Sequence, residues 1–402
     1  MAALTPLQEA LELILSEATV LAEAESCVLK DAAGRVLAQD IISQHAVPGD
    51  DNSAMDGYAV RAAESGQALQ VSQRIAAGSA GTELAAGTAA RIFTGAPVPP
   101  GADAVVMQEN CLLEDGLLTL QKPVVVGENI RPRGQDIAVG STVLSAGRRL
   151  QPEDLGVLAS IGVAEVPVRS RLKVAVLSTG DELVEPGQQA ALKTGQIFNS
   201  NRYTLQGLLN NLGCEVLDFG LVVDTPQATA DVLSRAAAAA DCVISTGGVS
   251  VGEEDHVKSQ VEKLGALNLW KLQVKPGKPL AFGRVAQTAF FGLPGNPAAV
   301  FVTFALLVRP WLQRCQGATP TEPLRLPALA DFTVGRAGSR LEFLRSRVQV
   351  RDGKLVASLH PNQSSGVLSS VSWANALAVI PPHTTIEPGD SLEVLLLDQL
   401  IR

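Results

Sequence analysis

The sequence predicts a multi-domain α/β protein built around a doubly wound, mostly parallel sheet. From Lys173 onward, apolar strand-like runs alternate with helix-period segments, the order of successive βαβ units. The glycine-rich run Gly247-Gly248-Val249-Ser250-Val251-Gly252-Glu253-Glu254-Asp255 follows, after Thr246, the apolar segment Asp241-Cys242-Val243-Ile244-Ser245. That is a loop at the carboxyl end of a strand, where open α/β sheets bind their ligands. Finally, 402 residues with 46% hydrophobic content can fill several cores, and length alone suggests roughly two to four domains.

Each element has its own reason. Thr5-Pro6-Leu7-Gln8 reads as a capping box with proline at the first helical position, opening an amphipathic helix through Leu11, Leu13 and Ile14. Over 43–140 the pattern breaks into short apolar segments separated by Gly, Pro, Asn and Asp, as in Ala102-Asp103-Ala104-Val105-Val106-Met107 and Leu117-Leu118-Thr119-Leu120. Pro152-Glu153-Asp154-Leu155 begins another helix with acids in its first turn, ending at Gly162. This helix is expected to rejoin the N-terminal one, making 1–42 plus 141–170 a small helix-containing domain and 43–140 an inserted β-rich domain.

The doubly wound domain covers 171–320: strand 174–177, helix 201–212, strand 214–219, a helix over the alanine run at 228–240, strand 241–245, and an apolar helix ending near Cys315. Alanine has the best helix propensity, so the alanine run reads as packed helix rather than linker. The segment 321–402 alternates short strands with Gly and Pro turns, including Arg347-Val348-Gln349-Val350 and Leu392-Glu393-Val394-Leu395, and is expected to form a β-barrel-like domain.

Composition excludes several classes. The formal charge of −9 argues against a general nucleic-acid surface. No stretch of about 18 uncharged apolar residues occurs, and acids interrupt the N-terminal pattern where a secretory signal is basic and apolar. The expectation is a cytoplasmic chain with neither nucleic-acid nor membrane partner. The five cysteines have no C-x-x-C or Cys/His spacing, which disfavours a disulfide scaffold or structural zinc. With four histidines, carboxylates and lysines are the better candidates for chemistry.

Those candidates fall on expected loops. Ser178-Thr179-Gly180-Asp181-Glu182-Leu183 and the loop from Gly247 to Asp255 both follow strands of one parallel sheet, so both face one cleft. Successive N–H groups of Gly247, Gly248 and Ser250 can cradle an anion. Nearby carboxylates such as Glu182 and Asp255 can hold a hydrated Mg²⁺ that bridges phosphate oxygens, although acids in a first helical turn also serve as caps. Lys275-Pro276-Gly277-Lys278-Pro279 sets two cations on a stiffened backbone suited to a tetrahedral oxyanion; the ordinary alternative is an exposed turn.

Six blocks then carry a resemblance: Asn52-Ser53-Ala54-Met55-Asp56-Gly57-Tyr58-Ala59, Thr94-Gly95-Ala96-Pro97, the Ser178 to Leu183 segment, Thr246 to Gly252, Lys275 to Pro279, and Leu293-Pro294-Gly295-Asn296-Pro297. Together they resemble the molybdopterin molybdenumtransferase family, which includes MoeA and the gephyrin E-domain. The resemblance implies Mg²⁺-assisted insertion of molybdate into adenylylated molybdopterin with release of AMP. It implies an elongated homodimer of four-domain subunits, with a cleft between the doubly wound domain of one subunit and the inserted domain of the other. It also implies molybdopterin adenylyltransferase and molybdoenzyme chaperones as neighbours. Carried over by motif, Asp56 and Thr94 come from the inserted domain and Asp136 from its return segment. Glu182, Asp224 and Asp255 are the acids of the sheet domain, Lys275 and Lys278 meet oxyanion or phosphates, and Arg345 and Ser365 reach in from the C-terminal domain. Without the resemblance, Asp56-Gly57 is an ordinary turn signal.

The chain departs from the family pattern at Gln135, where an acid is usual, at Asp51, where an aromatic residue is common, and near Asp224, which lacks a second acid. An ATP-consuming adenylyl transferase is the enzymatic alternative and a gephyrin-like scaffold the non-enzymatic one. The first would be a single compact domain without the Asp56 and Thr94 module; the second would carry partner-binding linkers.

Overall fold

The computed structural model describes residues 4–189, 191–248 and 256–401. Its centre is a six-stranded sheet with spatial order Glu215–Val222, Lys173–Thr179, Cys242–Thr246, Thr288–Leu293, Pro279–Val285, Gly265–Lys271. The first four strands are parallel neighbours and the last two add an antiparallel edge. Alternation sorts the side chains of Lys173–Thr179: Val174 and Val176 enter one core, Ala175 and Leu177 the other. The first core takes Leu205, Leu208 and Leu209 of helix Ser200–Asn211 and Val300 of Pro297–Thr303; the second takes Leu233 and Ala236 of Pro226–Ala239 and Val257 and Val261 of His256–Leu264. Helices therefore cover both faces, as the sequence predicts.

Pro297–Cys315 is one helical run, with a π-helical stretch at Phe304–Val308. It is long and apolar enough to cross a membrane, yet 83% of its apolar window is buried inside the fold, the environment of a core helix. Trp311 meets Phe291 edge-on at 5.3 Å, and Phe291 meets Phe282 at 4.8 Å, fixing this helix to the sheet. All five cysteines are free, and burial pushes the Cys214 and Cys315 thiols up to about 12, so they act as small apolar groups.

The N-terminus differs from expectation in two respects. Helix Leu7–Ser16 starts after Pro6 with no side-chain cap, and Thr5 extends the sheet edge instead: its N–H donates to Lys271 O at 3.0 Å and its carbonyl accepts from Gln273 N–H at 2.8 Å. Backbone pairing at an unfinished edge outcompetes a hydroxyl cap. The helix also buries Ala10 and Ile14 in the core of the central sheet rather than against helix Pro152–Ser160. What brings the early and late segments together is an antiparallel pair, Ala24–Val28 with Glu165–Arg169.

Between those strands, Gly57–Val60, Thr88–Ile92, Ala104–Met107 and Leu69–Ile75 belong to a second six-stranded sheet, completed by Leu117–Leu120 and Cys111–Glu114. A Cβ on Gly57 would sit 1.8 Å from Val106 O, so this crossing accepts only glycine. At the C-terminus, Leu341–Arg351, Lys354–Leu359, Arg325–Ala330, Ser391–Leu396 and Ala376–Ile380 close on themselves, because Leu341–Arg351 pairs with both the second and the last strand of the series. One short parallel ladder, Val274–Lys275 with Leu341–Glu342, stitches this barrel to the central domain.

Phe291→Ala should cost about 3–5 kcal/mol, the usual loss for a fully buried phenylalanine. Denaturant unfolding followed by the fluorescence of Trp311, its direct neighbour, reads that transition, and an unchanged midpoint would show that the aromatic stack does not anchor the helix.

Candidate active site

The carboxyl edge of the parallel strands is the chemical centre. Ser178 and Thr246 hydroxyls lie 3.1 Å apart across two buried strand ends, and beyond them Gly247 and Gly248 take φ of +83° and +65°. A Cβ on Gly247 would press within 2.6 Å of Thr179 O, and one on Gly248 within 2.5 Å of Val257. Only glycine gives the backbone this turn. Ser250 and Asp255 lie outside the described residues.

Two hollows open here and share Gly247, Gly295 and Asn296. The first, about 580 Å³, is lined by Lys275, Lys278, Arg340, Gln363, Ser364 and Ser365 among others. Lys275 comes with a counter-charge: Glu342 Oε2 accepts from its Nζ at 3.0 Å, an outcome of the ladder that sets Lys275 opposite Glu342. Lys278 is exposed and has no ion-pair partner among the described residues. Between them Gly277, at φ +107°, lets the chain pass Thr303, whose hydroxyl would lie 2.5 Å from a Cβ. Arg340 is the cation that sequence reasoning missed; it donates to Val274 O at 3.2 Å and lines the same hollow. Its only signal was a basic residue in a glycine-containing turn before a strand.

The second hollow, about 500 Å³, is lined by Thr179, Glu182, Leu183, Ile197, Phe198 and Asn201, with the Gly366 loop closing one side. Glu182 folds back over Gly180, where a Cβ would meet its carboxylate at 2.5 Å, and its backbone carbonyl accepts from Ile197 N–H at 2.8 Å. A charge network centred on the buried Glu185 holds this lip from below. Arg202 bonds Asp218 Oδ2 at 2.6 Å and Glu185 Oε2 at 2.9 Å, while Asn199 Nδ2 donates to Glu185 Oε1 at 2.8 Å. The Asp218 hydrogen bonds, followed by those of Glu185, raise the Arg202 pKa. Among the described residues no group of three or more His, Cys, Asp or Glu side chains gathers around a metal position. Glu182 is the carboxylate that lines the second hollow.

Ser365 lines the first hollow, but Arg345 does not. Arg345 is 1% exposed, with Nε donating to Ser370 Oγ at 3.0 Å and a terminal nitrogen to Ser364 O at 2.9 Å; desolvation lowers its pKa. Gln363 Oε1 accepts from the Arg345 N–H at 2.9 Å. Rather than reaching into the hollow, Arg345 stands behind the 363–365 loop and fixes it, because alternation along the strand puts Leu344 and Val348 in the barrel core and leaves Arg345, with Phe343, on the opposite face, under the segment that carries Ser364 and Ser370.

Asp56, Thr94, Asp136 and Asp224 line neither hollow. Asp224 follows the strand Glu215–Val222 and is half-buried; Asp136 is exposed, with its N–H bonded to Val47 O at 2.9 Å. Asp56 and Thr94, 38 positions apart, do meet: the Thr94 N–H and hydroxyl both donate to Asp56 Oδ1 at 2.8 Å. Those two bonds, with the nearby Arg91 charge, hold the Asp56 carboxyl below its ordinary value of 3.8 despite full exposure. Asp51, unusual for the resembled pattern, accepts from Arg133 N–H at 2.7 Å and so pins the turn before Asp136.

A depressed carboxyl pKa gives stability that is present above the unfolded value and disappears as pH falls through the folded one. The Asp56–Thr94 contact therefore holds above pH 3.8 and weakens only in more acidic solution. Thr94→Val, which removes the hydroxyl and keeps the N–H, should move the Asp56 pKa partway up toward 3.8 in a carboxyl-carbon NMR titration; an unmoved titration would deny the hydroxyl its role.

The chain is similar to known proteins along its length. Residues 5–162 match the MoeA N-terminal region (domain I and II), residues 175–314 a probable molybdopterin binding domain, and residues 327–397 the MoeA C-terminal region (domain IV). Molybdopterin molybdenumtransferase of Haemophilus influenzae is 42% identical over 379 residues, 90% of this chain and 93% of that one. The Nostoc enzyme of the same name is 39% identical over 386 residues, 91% of this chain and 87% of that one. The crystal structure of the molybdopterin biosynthesis MoeA protein from Pyrococcus horikoshii superposes with a TM-score of 0.84 at 30% identity, covering 98% of this chain and 100% of that one. With all three regions in order and relatives this close, the chain belongs to the molybdopterin molybdenumtransferase (MoeA) family of molybdenum cofactor biosynthesis.

Proposed function

We propose that this chain, as a cytoplasmic homodimer, inserts molybdate into adenylylated molybdopterin and releases AMP. The observation that carries the reading is the pair of hollows that share Gly247, Gly295 and Asn296, one lined by cations and one by a carboxylate and apolar side chains. Adenylyl transfer and scaffolding are not favoured, since the matches run through all three MoeA regions. A molybdopterin adenylyltransferase would supply the substrate, and molybdoenzyme chaperones would take the product.

The chemistry asks for little covalent work from the protein. A water oxygen bonds to the adenylyl phosphorus as the P–O bond to the molybdopterin phosphate breaks, giving AMP, and molybdate exchanges one oxygen, lost as water with the two thiol protons, for two bonds to the dithiolene sulfurs. Positioning and charge neutralisation dominate such steps. Lys278 and Arg340 offer positive charge to oxyanion and phosphate oxygens, while Lys275 brings a charge already shared with Glu342. Glycine N–H groups at the strand end take further oxygens. Mg²⁺ usually needs only one or two protein carboxylates, so Glu182, together with Asp255 from the sequence motif, would hold it; bound there it would neutralise phosphate oxygens. Asp56, ionised and occupied by Thr94, suits a fixed anchor better than a proton carrier. It and Thr94 would serve the cleft of the other subunit.

The direct test is to mix purified protein with adenylylated molybdopterin, Mg²⁺ and molybdate and follow AMP; no AMP above the uncatalysed level would sink the reading. Lys278→Ala should raise the half-saturating molybdate concentration roughly ten- to a hundredfold, about 1.5–3 kcal/mol for a charge-assisted hydrogen bond, with turnover recovered at high molybdate. Lys275→Ala should raise it less, because Glu342 shares that charge. A lost maximal rate at unchanged molybdate requirement would place Lys278 at the leaving phosphate instead.

Mixed dimers test the sharing of the cleft. Asp56→Asn and Glu182→Gln chains, each inactive alone, should regain up to about half of wild-type activity per mixed dimer, because one cleft then carries both lesions and the other neither. Confirmed heterodimers without recovery would mean that each cleft is built within one subunit.

A further inference from the structure

Asp56 and Thr94 sit at the ends of two neighbouring strands, and one side chain touches the surroundings of both. Arg91 lies on Thr88–Ile92, directly opposite Tyr58 on Gly57–Val60. One of its terminal nitrogens donates to Gly57 O at 3.1 Å, the carbonyl just after Asp56. The other donates to Gln108 Oε1 at 2.5 Å, and the Gln108 N–H in turn donates to Asp56 O at 3.1 Å. The guanidinium also lies 4.8 Å from the ring centre of Phe93, the residue just before Thr94, and 5.0 Å from that of Tyr58. Arg74 lies 4.5 Å from the same Phe93 ring.

We propose that Arg91 is a positioning residue: it locks the Asp56 turn and the Thr94 turn into one rigid edge that the inserted module presents to the shared cleft. The inference rests on the shared-cleft reading given above. Arginine suits the task because a planar group with several donors can bond two acceptors while its faces stack on rings. A lysine at this position would keep the charge and lose that geometry. Asp56 and Thr94 are both exposed; backbone bonds such as Gly95 N–H to Ser53 O at 2.8 Å pair their segments and their side chains meet at the Asp56 carboxylate, while Arg91 adds the tie between the Asp56 turn and the ring beside Thr94.

The test compares Arg91→Lys, Arg91→Met, Thr94→Ala and the double variant Arg91→Lys/Thr94→Ala in the AMP-release assay, with melting curves and dimer mass measured on each. Arg91→Lys should lose turnover by roughly 10- to 100-fold with little change in half-saturating molybdate, the signature of misplacement rather than lost charge. The double variant should be no worse than Thr94→Ala, because the two lesions disable one device. Losses that multiply, or wild-type turnover in Arg91→Lys beside an inactive Arg91→Met, would overturn the proposal; the latter would make Arg91 a charge contact. A second readout does not depend on turnover: solvent exchange of the Thr94 amide proton should quicken in Arg91→Lys while strand amides elsewhere in the module keep their protection. Unchanged Thr94 protection counts against the proposal. An active Thr94→Ala together with an active Asp56→Asn sinks the shared-cleft reading and this inference with it, whereas an inactive Thr94→Ala beside a fully active Arg91→Lys sinks the inference alone.

Discussion

Lys173–Thr179, Cys242–Thr246 and Thr288–Leu293 run parallel through the middle of the molecule, buried on both faces by helices. Parallel pairing forces the loops that leave these strands onto a common edge. The Glu182 loop, the Gly247 turn and the Pro294–Asn296 turn meet there because the hydrogen-bond ladder leaves them nowhere else to go. The short ladder of Val274–Lys275 with Leu341–Glu342 then brings the C-terminal barrel to the same edge, and with it Arg340, Ser365 and the loop that Arg345 supports.

Electrostatics at this edge is local. A chain with net charge −9 must gather anions by placed groups rather than by its overall field. The cations are placed unequally: Lys275 is half-spent on Glu342, Lys278 is free of ion pairs among the described residues, and Arg340 is steadied by a backbone carbonyl. Carboxylates around the site are likewise divided. Glu185 and Asp218 are consumed by Arg202 in holding the lip, which leaves Glu182 facing the second hollow. Reading every acid in a motif as chemistry would miss this division, since a carboxylate with two donors on it is a fastener.

The doubly wound domain was legible because burial on both faces leaves continuous apolar runs and because helices of that length carry a strong 3.6-residue period. The strands over 102–107 and 117–120 and the C-terminal strands were legible as short apolar or alternating runs between turn residues, and the alanine-run helix through alanine's helix propensity. The Thr5 cap was misread because cap chemistry is local and weak, about 1 kcal/mol, and a sheet edge lacking a partner outweighs it. The destination of helix Leu7–Ser16 was misread because amphipathicity says that a face is buried without saying against what.

By itself, then, the sequence determined the element types, the glycine turns at the strand ends and, through its motifs, the family. Local stereochemistry and periodicity are written residue by residue and need no knowledge of distant neighbours. Only the tertiary structure decided that Lys275 shares its charge with Glu342, that Arg345 is buried beneath the Ser364 and Ser370 segment rather than set in the hollow, that Arg340 joins the cation set, and that Arg91 reaches both Asp56 and Thr94 through their neighbours. Each of these is a contact between residues far apart in sequence or a choice of which face a strand turns inward, and both are fixed by strand register and barrel closure, which no single segment encodes.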